Sequence, residues 1–441
     1  MSRFKAVREP HERAKELGGR RNGRVSAHTD KTGAFFLGLA LMSYVVVTGM
    51  AISLVPIVAP EMEGHFGLSA SQIGLLTSML MLTTSLGALP MGVAAARWGG
   101  RVLVASGIVF VIGLVLFAAT ASYPWFLAAR LLQGIGASAA PPVATMLMTQ
   151  TVDRRYHGVT LGVFGCGQGT GVLLALLIMP SVQAAAGYRA VFLATAGIAA
   201  ALVMLSLCRR ELRVCPREAP VGVTWGGMLR GIGAVALNPR LLLLILVNIG
   251  AMALFVGVLT WTPSFLHDQR GTSLAVAAYL TAGLGLAQLL GAPFGATLMG
   301  KWGKRAVMVA GILLMMLATA LIPVAPGVAG VFVLVVITGF LTLAMFPAIL
   351  GSIADVVDRP EEVGVATGYM YTVNLVATML APWVFGLLLD RYGVADGDSG
   401  YLVGYQFLAA FALLGLVSAL LLVVAQRKVQ RTVVGESSEA A

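Results

Sequence analysis

Twelve stretches of this chain, each close to the length of a bilayer-crossing helix, have no Asp, Glu, His or Lys inside them. They are residues 34–58, 73–95, 102–122, 125–149, 158–181 and 189–208, then 240–262, 273–299, 306–325, 328–352, 363–389 and 400–426. A hydrocarbon core about 30 Å thick takes roughly 20 residues of α-helix. Barrel strands alternate every second residue, whereas these runs are apolar all round. The expected fold is therefore an all-α integral membrane protein of twelve spans, numbered 1–12 in chain order. Only 11% of the 441 residues are charged, against about 25% in soluble domains. That excludes a water-soluble enzyme, a disordered chain and a nucleic-acid-binding domain. Three cysteines and five histidines without paired or ligand-like spacing suggest neither a disulfide framework nor a metal site, and no cofactor is expected.

The positive charge has a topological reading. Of the 30 Lys and Arg, those between spans on the side carrying both termini far outnumber Arg189, Arg270 and Arg391 on the other side. The positive-inside rule then places both termini in the cytoplasm of a bacterial inner membrane. No cleavable signal is visible ahead of span 1. The expected organisation is a basic N-terminal segment (1–33), a six-helix bundle (34–208), a central loop (209–239), a second six-helix bundle (240–426) and a tail (427–441). The basic segment suits contact with anionic lipid, and nucleic acid is not needed to explain it.

The two halves share landmarks. Arg97-Trp98-Gly99-Gly100-Arg101 recurs as Lys301-Trp302-Gly303-Lys304-Arg305, 204 residues on. Gly134 matches Gly339, and Asp153 matches Asp358, at 205. Gly158, Gly162 match Gly364, Gly368 at 206. Repeated six-helix halves are a mark of transporters in which two bundles rock about a midplane site.

These residues carry a resemblance. Arg130-Leu-Leu-Gln133-Gly134-Ile-Gly136-Ala137 in span 4 is similar to the R-x-x-Q-G-x-G-A motif of the major facilitator superfamily. Gly92 to Arg101 resembles that family's G-x-L-a-D-R-x-G-r-R loop, with Ala96 at the acidic position. Gly187-Tyr188-Arg189 resembles its usual opening of span 6, and Asn238-Pro239-Arg240 that of span 7. Span 5 lacks the G-P-x-x-G-G signature of drug/proton antiporters. Trp261-Thr-Pro263 resembles transporters of small organic or inorganic anions. The resemblance covers essentially the whole chain and implies two pseudo-symmetric bundles, with spans 3, 6, 9 and 12 on the outside.

Inside the spans, polar groups are few. Arg130 is the one interior charge; placing an Arg at a helix centre costs about 2.5–3.5 kcal/mol on insertion scales. No buried carboxylate is present to relay protons. The candidate substrate path comprises Arg130, Gln133, Tyr44, Gln168, Asn248, Gln288, Tyr371 and Asn374, and it favours neutral or anionic solutes. Tyr279 and Trp261, near span ends, read as interface anchors. The candidate cytoplasmic gate comprises Arg97, Gly99, Arg101, Asp153, Lys301, Gly303, Arg305, Asp355 and Asp358. In it Arg97 and Arg101 would pair with Asp153, and Lys301 and Arg305 with Asp355 or Asp358.

The expected function is secondary transport of a small neutral or anionic organic solute by alternating access, in the direction of uptake or exchange, by a chain working as a monomer. Efflux of a drug or metabolite is the alternative within the same fold. A non-transporting membrane sensor or scaffold is the alternative of another class. An intramembrane enzyme would need a buried acid, base or metal cluster, and the spans contain none.

Overall fold

The computed structural model describes residues 31–153, 156, 160, 163–208, 233, 235–357, 359, 362–395, 397 and 399–439. Among these the chain is helical, in two bundles of six spans. Span 1 is Lys31–Phe66, span 2 Ala70–Trp98 and span 3 Arg101–Ala119. Span 4 is Tyr123–Ala137 continued by Ala140–Thr151, and spans 5 and 6 are two helices that meet at Gly187 within Gly167–Cys208. Span 7 is Pro239–Arg270, spans 8 and 9 lie in Leu274–Leu321, and span 10 is Gly327–Val356. Span 11 is split into Glu362–Thr378 and Leu380–Tyr392, and span 12 runs as Gly400–Glu439 through the segment read as a tail. Ten of the described helices are long and apolar enough to cross a bilayer. The number differs from twelve because spans 5 and 6, which join directly at Gly187, count together and the two pieces of span 11 are each short.

The internal repeat is written into the backbone. Gly67 and Gly271, 204 apart, both adopt φ 62° at the turns closing spans 1 and 7. Gly99 and Gly303, the centres of the repeated Trp-Gly motif, adopt φ 63° and 82°; Gly187 and Gly393 follow at 73° and 82°. Residues with a Cβ rarely enter this region, so the glycines mark where each antiparallel pair must reverse. Gly187 separates the helices of spans 5 and 6, and Gly303 those of spans 8 and 9, with non-helical backbone at the glycine itself. Helix starts repeat too. The Ser69 hydroxyl accepts from the Gln72 amide at 3.3 Å and the Ser273 hydroxyl from the Val276 amide at 3.4 Å, each satisfying an orphan N–H of the first turn. The Asn238-Pro239 opening of span 7 has the same logic. Asn238 Oδ1 accepts from the Arg240 and Leu241 amides at 3.0 and 3.2 Å, and Pro239 takes a position whose N–H is dispensable.

Large apolar side chains stand exposed on most spans, among them span 3 (Ile108, Ile112), span 5 (Leu177, Ile178), span 8 (Leu286, Leu290), span 9 (Leu313, Leu314) and span 12 (Leu413, Leu414, Leu420). Surfaces of that size and polarity face lipid rather than water. Span 7, by contrast, is buried without a break from Val247 to Leu266 except at Met252. Small residues allow close approach. A Cβ on Gly134 would strike Thr83 and the Leu80 carbonyl of span 2, and one on Gly339 would strike the Leu284 carbonyl of span 8. The two contacts are repeat-equivalents.

Candidate substrate path and gates

Spans 2 and 11, and spans 5 and 8, pack across the boundary between the bundles. The face bearing the described chain ends is called the terminal face here, and the other the opposite face. At the opposite face the bundles are closed on each other. Gly74 lies against Pro382, and Gly386 against Ala70 and Ser71, with no room for a Cβ at either glycine. The Asp390 carboxylate, at the end of span 11, accepts from the Ala70 amide at 2.8 Å and the Ser71 amide at 3.0 Å. It thereby serves the first turn of span 2, where N–H groups lack intrahelical partners and the helix dipole favours an anion. Nearer the midplane, the Ser78 hydroxyl donates to the Met379 carbonyl and that of Ser85 to the Thr372 carbonyl at 2.8 Å. The Met379 carbonyl is at hand because span 11 is interrupted there. Spans 5 and 8 add a Ser181–Tyr279 hydroxyl contact at 3.0 Å, so Tyr279 bridges the bundles.

The sequence-derived path residues fall into separate groups. Arg130 is 0% exposed. Its Nε donates to the Leu76 carbonyl at 3.0 Å, and its Nη1 to the Ala51 carbonyl at 2.9 Å and to Gln133 Oε1 at 2.8 Å. Gln133 Nε2 donates to the Gly113 carbonyl at 3.1 Å. One pair of side chains therefore ties spans 1, 2, 3 and 4 together, while Arg130 Nη2 is left with no partner. Tyr44 turns toward Gly107 of span 3 and Val203 of span 6, inside the N-terminal bundle.

Asn248, Gln288 and Asn374, on spans 7, 8 and 11, are 1%, 2% and 3% exposed. In each the amide oxygen is buried without a hydrogen-bond partner. A buried orphan acceptor costs about 1–3 kcal/mol, so three in one bundle require an explanation. Gln288 sits at the bundle boundary, its side chain against Gly169 of span 5. Gln168 is half-buried beside that glycine, and the Tyr371 ring lies edge-on to Phe346 with centroids 6.4 Å apart. Among the described residues no group of three or more His, Cys, Asp or Glu is placed to hold a metal.

Two expectations are corrected. Lys304, not Lys301 or Arg305, pairs with Asp355, at 2.8 Å, and it also donates to the Gly351 carbonyl at 2.7 Å. Both partners belong to the C-terminal bundle, so this pair holds span 9 to span 10 and does not bridge the bundles. The cause is the reversal at Gly303, which starts the span 9 helix at Lys304 and leaves Lys301 exposed. Trp261 is not an interface anchor. It is buried, stacks on Phe385 at 5.5 Å, and donates from Nε1 to the Pro382 carbonyl at 3.1 Å. At the remaining gate positions, Arg97 lies over the Trp98 ring at 5.4 Å. Arg101 is exposed, Asp153 is half-buried, and Asp358 lies outside the described residues.

Asp390, Ser78 and Ser85 are residues that sequence reasoning misses. A signal exists for the first: Gly386-Leu-Leu-Leu-Asp390-Arg391-Tyr-Gly393 completes the G-x-x-x-D-R-x-G pattern whose acid is missing at Ala96.

The comparisons agree with this architecture. Residues 40–286 and 268–440 match the family model described as Major Facilitator Superfamily. The chain is 26% identical to the probable sulfoacetate transporter SauU of Cupriavidus necator, covering 86% of this chain and 93% of that protein. It is 24% identical to the cis,cis-muconate transport protein of Acinetobacter baylyi, covering 90% and 95%. A solved bacterial homologue of the human lysosomal transporter Spinster, inward-facing and unoccupied, superposes with TM-score 0.72 at 19% identity, over 89% of this chain and 97% of that one. This chain, a multi-pass membrane transporter and not an enzyme, belongs to the Major Facilitator Superfamily.

Proposed function

We propose that the protein moves a small organic anion, such as a carboxylate or sulfonate, across the bacterial inner membrane by alternating access, as uptake or exchange. Both termini are then cytoplasmic, the terminal face is the cytoplasmic gate and the opposite face the external one. The observation that carries the reading is the intramembrane inventory among the described residues: one buried cation, Arg130, with no carboxylate bonded to it, and three buried amides with unused hydrogen-bonding capacity. In a low-dielectric interior an uncompensated charge acts over a long range. Tethered by three acceptors, Arg130 biases the path toward anions through its field. Asn248, Gln288 and Asn374 are the groups that bond the solute, since an amide serves as donor or acceptor after rotation. The names of the two relatives, one for a sulfonated acid and one for a dicarboxylic acid, support the same class.

Alternating access needs two arrangements separated by only a few kcal/mol. In the arrangement described, Asp390 on Ala70 and Ser71 holds the external end shut, and the hydrogen bonds of Ser78 and Ser85 extend that closure to the midplane. Opening requires these to break together while the cytoplasmic ends of the same spans approach. Cells expressing the protein should take up labelled sulfonated or dicarboxylic acids above vector controls and ignore amines of similar size. Uptake of the amines instead would remove the anion reading.

A further inference from the structure

A cavity of about 360 Å³ opens at the terminal face of the C-terminal bundle, away from the path between the bundles. Its lining combines charged and apolar groups: Lys304, Arg305 and Asp355 together with Met308, Val356 and Leu422. The charges are unequally used. Lys304 and Asp355 neutralise each other at 2.8 Å. Arg305 is half-buried and, among the described residues, makes no hydrogen bond or ion pair. A net positive charge therefore faces the cavity, carried by a planar fork suited to phosphate oxygens. Trp302, on the rim, is 63% exposed, the position of an aromatic at a membrane interface. Next to Leu422, span 12 exposes Leu420 and Leu421, so the cavity borders the lipid-facing surface.

We propose that this cavity binds the phosphate headgroup of an anionic phospholipid from the surrounding leaflet, with Arg305 as its principal ligand and Leu422 and Met308 against its acyl chain. Basic pockets between helices at the cytoplasmic side are suited to such headgroups. The lipid, rather than dissolved phosphate, is favoured because half of the cavity is apolar and its rim is continuous with lipid-facing leucines. The bound headgroup bridges span 9 to spans 10 and 12, stiffening the edge of the C-terminal bundle. Assignment to the cytoplasmic leaflet rests on the orientation proposed above; the binding itself does not.

The test is retention of lipid by the purified full chain in nanodiscs of phosphatidylcholine titrated with phosphatidylglycerol, read by native mass spectrometry. The wild type should keep phosphatidylglycerol in preference to phosphatidylcholine, and excess inorganic phosphate should not displace it. Arg305→Gln should weaken retention roughly tenfold, and Arg305→Lys less. Leu422→Trp, which fills apolar space in the cavity and keeps every charge, should weaken it as well. Two variants, one removing charge and one removing space, keep the test decisive if one of them fails to fold. Retention at the wild-type level by both Arg305→Gln and Leu422→Trp would overturn the proposal. So would displacement of the lipid by inorganic phosphate together with no effect of Leu422→Trp, because the cavity would then hold a dissolved anion only. A reversed topology with intact lipid retention would refute the orientation and leave the site standing.

Discussion

The Asp390 carboxylate sits astride the first turn of span 2, 2.8 Å from the Ala70 amide nitrogen and 3.0 Å from that of Ser71. This joins residues 320 positions apart and belonging to different bundles, so it cannot persist if the bundles separate at that face. The matching loop at the other end of span 2 has Ala96 where the family motif has an acid. The asymmetry favours closure at the opposite face.

Replacing Asp390 by Asn should therefore release that closure. Hydrogen bonds to a charged group are worth about 1.5–3 kcal/mol, so the conformational equilibrium should shift about tenfold or more toward the other state. Cysteine crosslinking between the Ser69 and Tyr392 positions would report it as a loss of yield. Unchanged crosslinking would mean that Asp390 caps a helix without governing the gate.

Gly134 and Gly339 make equivalent contacts in the two halves, and both lack space for a Cβ. Alanine at either should destabilise the protein by about 1–3 kcal/mol, the usual cost of overpacking, and lower its melting temperature in detergent. Gly197 has open space around its Cβ position, so Gly197→Ala should be neutral. Equal effects at all three would refute the packing argument.

The positive-φ glycines make a separate prediction. Gly303→Ala forces a Cβ into a region that costs roughly 1–3 kcal/mol at the point where the Lys304–Asp355 pair is set up. Thermal stability should fall, although nothing crowds the site. Wild-type stability would show that the reversal between spans 8 and 9 tolerates another backbone path.

Arg130 offers a test of field against tether. Arg130→Ala leaves the Gln133 amide oxygen and two carbonyls without their donor, and it should lose both stability and transport. Arg130→Lys keeps the charge but not the fork, and it should transport anions at a reduced rate. Comparing transport only among variants that remain folded, by gel filtration and melting, separates the two roles. Full anion transport by a folded, neutral Arg130→Gln would exclude the electrostatic role.

Much of the fold is legible in the sequence because its strongest determinants are local. Runs of span length without Asp, Glu, His or Lys declare themselves, and the Trp-Gly repeat at 99 and 303 marks the two halves without reference to any backbone. The turns at Gly187 and Gly303 fall in the gaps that the sequence leaves between spans 5 and 6 and between spans 8 and 9, whereas the break of span 11 at Met379 lies inside an unbroken apolar run and has no local signal. The site is legible in part. Gln288 does lie at the bundle boundary, and Arg130 does lie beside Gln133. The partner of Asp355 escapes sequence reasoning because choosing Lys304 over Lys301 depends on the residue at which span 9 starts. Trp261 misleads because its position near a span end suits either lipid or a neighbour, and only the Pro382 carbonyl decides between them.

In the proposed transport an organic anion crosses by uptake or exchange, guided by Arg130 and without a protein carboxylate carrying protons at mid-membrane. The most direct measurement is counterflow in proteoliposomes of purified protein, loaded with an unlabelled sulfonated or dicarboxylic acid and diluted into the labelled compound with no imposed proton gradient. Labelled anion should accumulate transiently in wild-type vesicles, be reduced with Arg130→Lys and be lost with Arg130→Gln. Absence of counterflow until a proton gradient is applied, with that gradient's effect abolished by neutralising Asp355 or Glu362, would contradict the account.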